Sequence, residues 1–313
     1  MKKTALMMAA AMGIAATLGV KAATQDAKAF PDHVYAPTVN VATQKNFDFE
    51  QVTEKTGVKY YKLSGITVLP NGCNGYNPLI SLDGKNLMDK ISAIRNSGGD
   101  VIFGFDDNDC ISTDESAYQK AIDAYNIKWI DFKLDISALP MFGDCDYVDS
   151  MNKVIKKLQE NNPNLIISYT TTINCTLPLN LGYFNEFLGR IISNALDNHV
   201  NVNYINVQCM LFTPPAEKRC KEDQDHYLQN VMERAIRILQ IAYERHDITR
   251  TKAEFYKMIS LTPVLNDQST LSTQEAQEVV DALSQNDSKL LSLVFENTDD
   301  FNTYTEIFKS FTK

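Results

Sequence analysis

Apolar residues gather in eight short runs rich in β-branched and aromatic side chains, each followed by a stretch in which they recur every three or four positions. The runs, at 34–39, 58–67, 100–105, 129–135, 165–172, 203–210, 255–263 and 290–295, predict strands. The intervening and following stretches, at 47–56, 87–96, 113–125, 147–160, 183–198, 222–245, 273–284 and 301–311, predict helices. In the sixth of these, Leu228, Val231, Met232, Ala235, Ile238, Leu239 and Ala242 form one apolar stripe. Gly98-Gly99 and Asn162-Pro163-Asn164 stop the chain just before two strands, as short helix-to-strand turns require. Regular alternation of this kind predicts an α/β fold, a closed (β/α)8 TIM barrel and not an open doubly wound sheet.

A barrel builds its ligand site at the carboxyl ends of its strands. That rule selects Phe105, Asp106 and Asp107 after the third strand, Asp135 on the fourth, Thr171 and Thr172 on the fifth, and Met210 to Phe212 on the sixth. Asn266 and Asp267 follow the seventh strand, and Val294 and Glu296 close the eighth. Parity on the fourth strand, WIDFKLDI over 129–136, turns Asp131, Lys133 and Asp135 to one face, two carboxylates flanking an ammonium. Trp129 shares that parity but sits lower, which makes it a core residue.

Met1-Lys2-Lys3 and the uncharged run 4–20 have the basic and apolar regions of a signal peptide, with a cut after Ala22 or as late as Ala29. Residues 1–22 are thus expected to be a leader and 30–313 the barrel, in a secreted or periplasmic protein; a retained N-terminal anchor is the alternative. With 44% hydrophobic and 22% charged residues over its 313 positions, the whole chain has the composition of one full globular core. Its formal charge of −9 becomes −12 without the three leader lysines, and no basic run is present, which argues against nucleic acid or anionic lipid as partner. Cys73, Cys110, Cys145, Cys175 and Cys220 fall near predicted loops, where an oxidising compartment permits disulfides, while Cys209 falls inside a strand as a core residue. Their spacing matches no zinc pattern. His33, His199, His226 and His246 lie away from the strand ends, and no HExxH, GxSxG, GxGxxG or GxxxxGK pattern occurs. Neither a metal nor a cofactor is implied; Asp106, Asp107, Asp109 and Asp135 lack the calcium-loop spacing and read as a solvated loop.

YAPTVNV, TGVKYYKLSGI, GGDVIFGF, IKWIDFKLD, YINVQCML, ISLTPVLND and LLSLVF, in this order and spacing, resemble the strands of the secreted single-domain chitinases of glycoside hydrolase family 18. The resemblance implies that the first Asp of the family's fourth-strand Asp, Asp, Glu set is Asp131, the middle Asp is replaced by Lys133, and the acid Glu by Asp135. In the family the Glu protonates the leaving oxygen while the substrate's own acetamide attacks, an exception to the two-carboxylate scheme. Asp135 is one methylene shorter, withdrawing the donor by roughly an ångström, a misplacement worth about a hundredfold in rate. Lys133 opposes the positive charge the acetamide develops and favours the ionised form of Asp135, which cannot donate. Met210 and Phe212 lie where the family's sixth strand offers a tyrosine hydroxyl, and Val294 where it often has a tryptophan floor.

Lys133 is therefore expected at the centre of an Asp131–Lys133–Asp135 ion cluster, since buried charges survive when paired and two carboxylates oppose the neutral amine a catalytic lysine needs. Three functions follow. The first is a catalytically impaired chitinase-like barrel binding N-acetylglucosamine-containing or related glycans. The second is a divergent glycosidase with Asp135 as acid. The third is a secreted protein-interaction or inhibitor barrel with a protein partner.

Overall fold

A computed structural model of the chain describes residues 26–68, 80–81, 85–106, 113–134, 145–172, 183–210, 227–266 and 271–313. Eight parallel strands alternate with helices. They are β1 (Val34–Tyr35 and Thr38–Asn40), β2 (Tyr60–Thr67), β3 (Asp100–Asp106), β4 (Trp129–Lys133), β5 (Ile166–Thr172), β6 (Tyr204–Met210), β7 (Ile259–Leu265) and β8 (Leu290–Leu291 and Val294–Phe295). A further two-residue strand, Ile80–Ser81, pairs with the end of β2. The helices are α1 (Phe49–Thr56), α2 (Lys85–Asn96), α3 (Glu115–Tyr125), α4 (Cys145–Asn161), α5 (Tyr183–Asp197), α6 (Tyr227–Glu244), α7 (Lys252–Met258), α8 (Thr273–Gln285) and α9 (Thr298–Phe308). Each strand pairs with the next, and β1 pairs with β8 at Val34↔Leu290 and with β2 at Thr38↔Lys62, which closes the barrel. The expected (β/α)8 architecture is the observed one.

Closure passes through an imperfect strand. Pro37 has no N–H to give the ladder. Ala36 and Thr38 donate to the carbonyls of Leu291 and Leu293 in β8, while the Pro37 carbonyl accepts from Lys62 in β2. The two pieces of β1 therefore serve both neighbours in turn. In β2 the register against β3 shifts between Leu63 and Ile66, and Gly65 there takes a φ of +73°. A Cβ at Gly65 would stand 2.3 Å from Asn40 Oδ1, so this bulge requires glycine.

The strand predicted over 255–263 begins too early, because residues through Met258 belong to α7. Thr251 and Glu254 form a capping box that starts this extra helix, and β7 begins only at Ile259.

Side-chain parity divides the molecule into two apolar layers. Outward residues such as Leu63, Phe103, Phe105, Ile130, Phe132, Ile167, Tyr169, Val207 and Leu261 meet the helices in one continuous core. Cys209 is fully buried among them, as a strand cysteine should be. Inside the barrel, at the amino-terminal pole, Trp129, Val34, Ala36, Ile102 and Leu290 form a smaller cluster, with Phe30, Tyr60, Ile166 and Tyr204 packed against it. Asp100 opens β3 at that pole, 1% exposed, and Oδ1 accepts from Arg95 Nε at 3.0 Å and from its neighbour Val101 N at 2.8 Å. Arg95 also donates to the carbonyls of Tyr125 and Asn126, tying α2 to the end of α3. Burial pushes the Asp100 carboxyl up from its ordinary range, and the Arg95 guanidinium works against that rise. Replacing Arg95 by Met strands this carboxylate; urea unfolding is expected to show a loss of about 3–5 kcal/mol, whereas an exposed-lysine control such as Lys153→Met changes stability by less than about 1 kcal/mol.

Candidate functional site

Three side chains of β4 point into the barrel at rising heights: Trp129 and Asp131, both 0% exposed, and Lys133, half-buried. Trp129 is a floor residue, its Nε1 donating to Ser168 Oγ at 2.9 Å. Asp131 lies one step higher, and burying its charge among apolar strands is unfavourable unless each oxygen finds donors. Oδ1 accepts from Ser168 Oγ at 2.5 Å, and Oδ2 accepts from Thr170 Oγ1 at 2.6 Å and from Lys62 Nζ at 2.5 Å. Lys62 Nζ donates to Thr170 Oγ1 as well, at 2.8 Å. From Thr170 the network runs to Asn206 Nδ2 at 3.0 Å, and Asn206 Oδ1 accepts from Thr262 Oγ1 at 2.8 Å. Five strands, β2, β4, β5, β6 and β7, thus meet on one set of hydrogen bonds.

Lys62 stands on β2 and reaches β4 across the intervening β3. It passes there because the β3 residue paired with Asp131 is Gly104. A Cβ on Gly104 would lie 3.1 Å from Lys62 Cε and 3.0 Å from the Leu63 carbonyl, too close for comfort on both sides. The counterion of Asp131 is consequently Lys62, itself 3% exposed, where Lys133 was expected; the Asp135 half of the expected Asp131–Lys133–Asp135 cluster lies outside the described residues. Lys62 was legible only as a basic residue on the inward parity of an apolar strand, and Gly104 only as the small residue in GGDVIFGF.

Above this layer the inward face opens to the carboxyl pole. Lys133, Thr172, Gln208, Val264 and Val294 are all half-buried there, and Val264 and Val294 are paired neighbours on β7 and β8. Asn266, also half-buried, follows β7 directly. Thr172 and Asn266 were expected at this end from the sequence; Gln208 was not. Thr171, by contrast, is 3% exposed with the outward parity of Tyr169. The backbone of Asp106 pairs with Lys133 at the top of β3, and Met210 ends β6 opposite Val264. The side chains of Asp106 and Met210, and the whole of Asp107, Asp135 and Phe212, lie outside the described residues.

Phe105 does not belong to the mouth. It is 3% exposed, with its ring 5.2 Å from Tyr118 and 5.9 Å from Phe132, so it faces α3 and not the barrel interior. The cause is parity: Gly104 points inward, so its two neighbours point out.

The chain superposes on the catalytic domain of a hyperthermophilic chitinase from Pyrococcus furiosus with a TM-score of 0.70 at 20% identity, covering 91% of this chain and 97% of that one. Catalytic-site mutants of active domain 2 of a thermostable chitinase from Pyrococcus furiosus, complexed with chito-oligosaccharides, give 0.70 at 20% identity over 91% and 96%. A xylanase and alpha-amylase inhibitor protein from Scadoxus multiflorus gives 0.53 at 10% identity over 89% and 98%. No protein-family model and no curated protein matches the chain. The fold is that of chitinase catalytic domains, and it is shared with a protein that inhibits enzymes.

Ser168 serves two partners at once, the only tryptophan of the chain and the buried carboxylate. Ser168→Ala leaves Trp129 Nε1 and Asp131 Oδ1 each short of a partner, and urea unfolding followed by tryptophan fluorescence is expected to show a loss of about 1–3 kcal/mol. Wild-type stability in this variant would mean that the two bonds carry no weight in the fold.

Proposed function

We propose that this chain is an exported chitinase-like barrel that holds N-acetylglucosamine-containing or related glycans at its carboxyl-end mouth and cleaves them poorly or not at all. The observation that carries the reading is the division of labour on β4. Asp131 has both oxygens committed to Lys62, Ser168 and Thr170 below the mouth, and the next inward side chain, where the resemblance puts a helper carboxylate, is the ammonium of Lys133. A cation there disfavours the oxazolinium-like charge of substrate-assisted cleavage. Half-buried Thr172 and Gln208 at the carboxyl end would hydrogen-bond hydroxyls, and Val264 and Val294 would meet a sugar face. A glycan is favoured as ligand class by the likeness to a chitinase domain seen with chito-oligosaccharides.

Calorimetric titration with chitotetraose, run beside a fluorogenic chitobioside assay, tests the reading. Binding without turnover above the buffer rate is expected, and Lys133→Ala should alter the affinity. Turnover that Asp135→Ala abolishes would contradict impairment and favour a divergent glycosidase. Failure to bind any amino-sugar oligomer would contradict the glycan and leave a protein partner, as in the inhibitor of the same fold.

A further inference from the structure

Two small-residue sites compete for the end of the leader. Ala27-Lys28-Ala29 fits the A-x-A pattern fully, whereas Val20-Lys21-Ala22 fits it only at its last position. Sequence pattern alone therefore favours the later one.

A strap without regular secondary structure, 26–33, lies at the amino-terminal pole. Lys28 N donates to Asp100 Oδ2 at 2.6 Å, the oxygen of that buried carboxylate which Arg95 Nε and Val101 N leave open. Phe30 follows, its ring edge-on to Trp129 at 5.1 Å between centroids and 5.6 Å from Tyr60, closing the interior cluster from below. The Pro31 carbonyl accepts from Lys289 Nζ, and His33 Nδ1 lies 2.7 Å from the Ser288 carbonyl, so the strap is stitched to the start of β8. A cut after Ala29 would delete the Lys28 donor, leaving Asp100 Oδ2 without that hydrogen bond, and would free Phe30 from the chain that precedes it.

We infer that the strap is part of the mature domain and that the leader is removed upstream of Asp26, next to Ala22, and not at the better-matching Ala29. This rests on the reading of the chain as exported. The mature chain is then 23–313, and it keeps the Lys28 donor to Asp100, which the cleavage pattern alone would discard.

The test is to express the full chain in a bacterial host, recover it from the exported fraction, and determine its N-terminus by intact mass and terminal sequencing. A terminus at Ala23, or at any residue up to Asp26, is expected. A terminus at Phe30 would overturn the inference while leaving export intact. An uncut chain retained in the cytoplasm would overturn it together with the export reading. Leaderless chains starting at Ala23 and at Phe30 provide a second measurement: the shorter one is expected to melt roughly 2–4 °C lower. Equal melting temperatures would show that the strap adds nothing to the floor.

Discussion

One buried ion pair governs the interior of this barrel. A carboxylate and an ammonium, 0% and 3% exposed, lie 2.5 Å apart where the strands could have been packed with apolar side chains. Removing two such charges from water costs several kcal/mol each, and their attraction repays this only when the remaining lone pairs and protons are also satisfied. The composition of the inner face follows from that requirement. Ser168 and Thr170 occupy successive inward positions of β5 to donate to Asp131, Asn206 and Thr262 extend the network to β6 and β7, and Gly104 keeps the path across β3 open. The outer face carries no such constraint, and there Phe103, Phe105, Tyr118 and Phe132 pack as an ordinary aromatic core against α3.

The same pair separates scaffold from chemistry. Asp131 belongs to a motif that the resemblance associates with sugar cleavage, yet its oxygens are spent on neighbouring strands. A barrel retains its shape and pocket when its acid chemistry is weakened, and the fold found here is shared by a chitinase domain and by an enzyme inhibitor.

The alternation of strands and helices, the inward parity of Trp129, Asp131 and Lys133, and the core position of Cys209 could all be read from the sequence, because each depends on local periodicity. The partner of Asp131 could not. Lys62 lies 69 positions away on a strand that is not adjacent to β4, and no local pattern couples them. Phe105 was misplaced for a different reason: strands of a parallel barrel are apolar on the helix-facing side and partly apolar inside, so a run such as VIFGF does not announce its phase. The breaks at Pro37 and at the start of β7 show two local signals losing and winning. Proline interrupted β1 without opening the barrel, while the Thr251–Glu254 box converted the first residues of an expected strand into helix.

The central claim is that Lys62 and Asp131 form a mutually dependent unit inside the barrel. A double-mutant cycle on Lys62→Met and Asp131→Asn, followed by urea unfolding, tests it most directly. Each single change should cost about 3–5 kcal/mol by stranding its partner, and the double variant should cost clearly less than their sum. Strict additivity of the two losses would contradict the account.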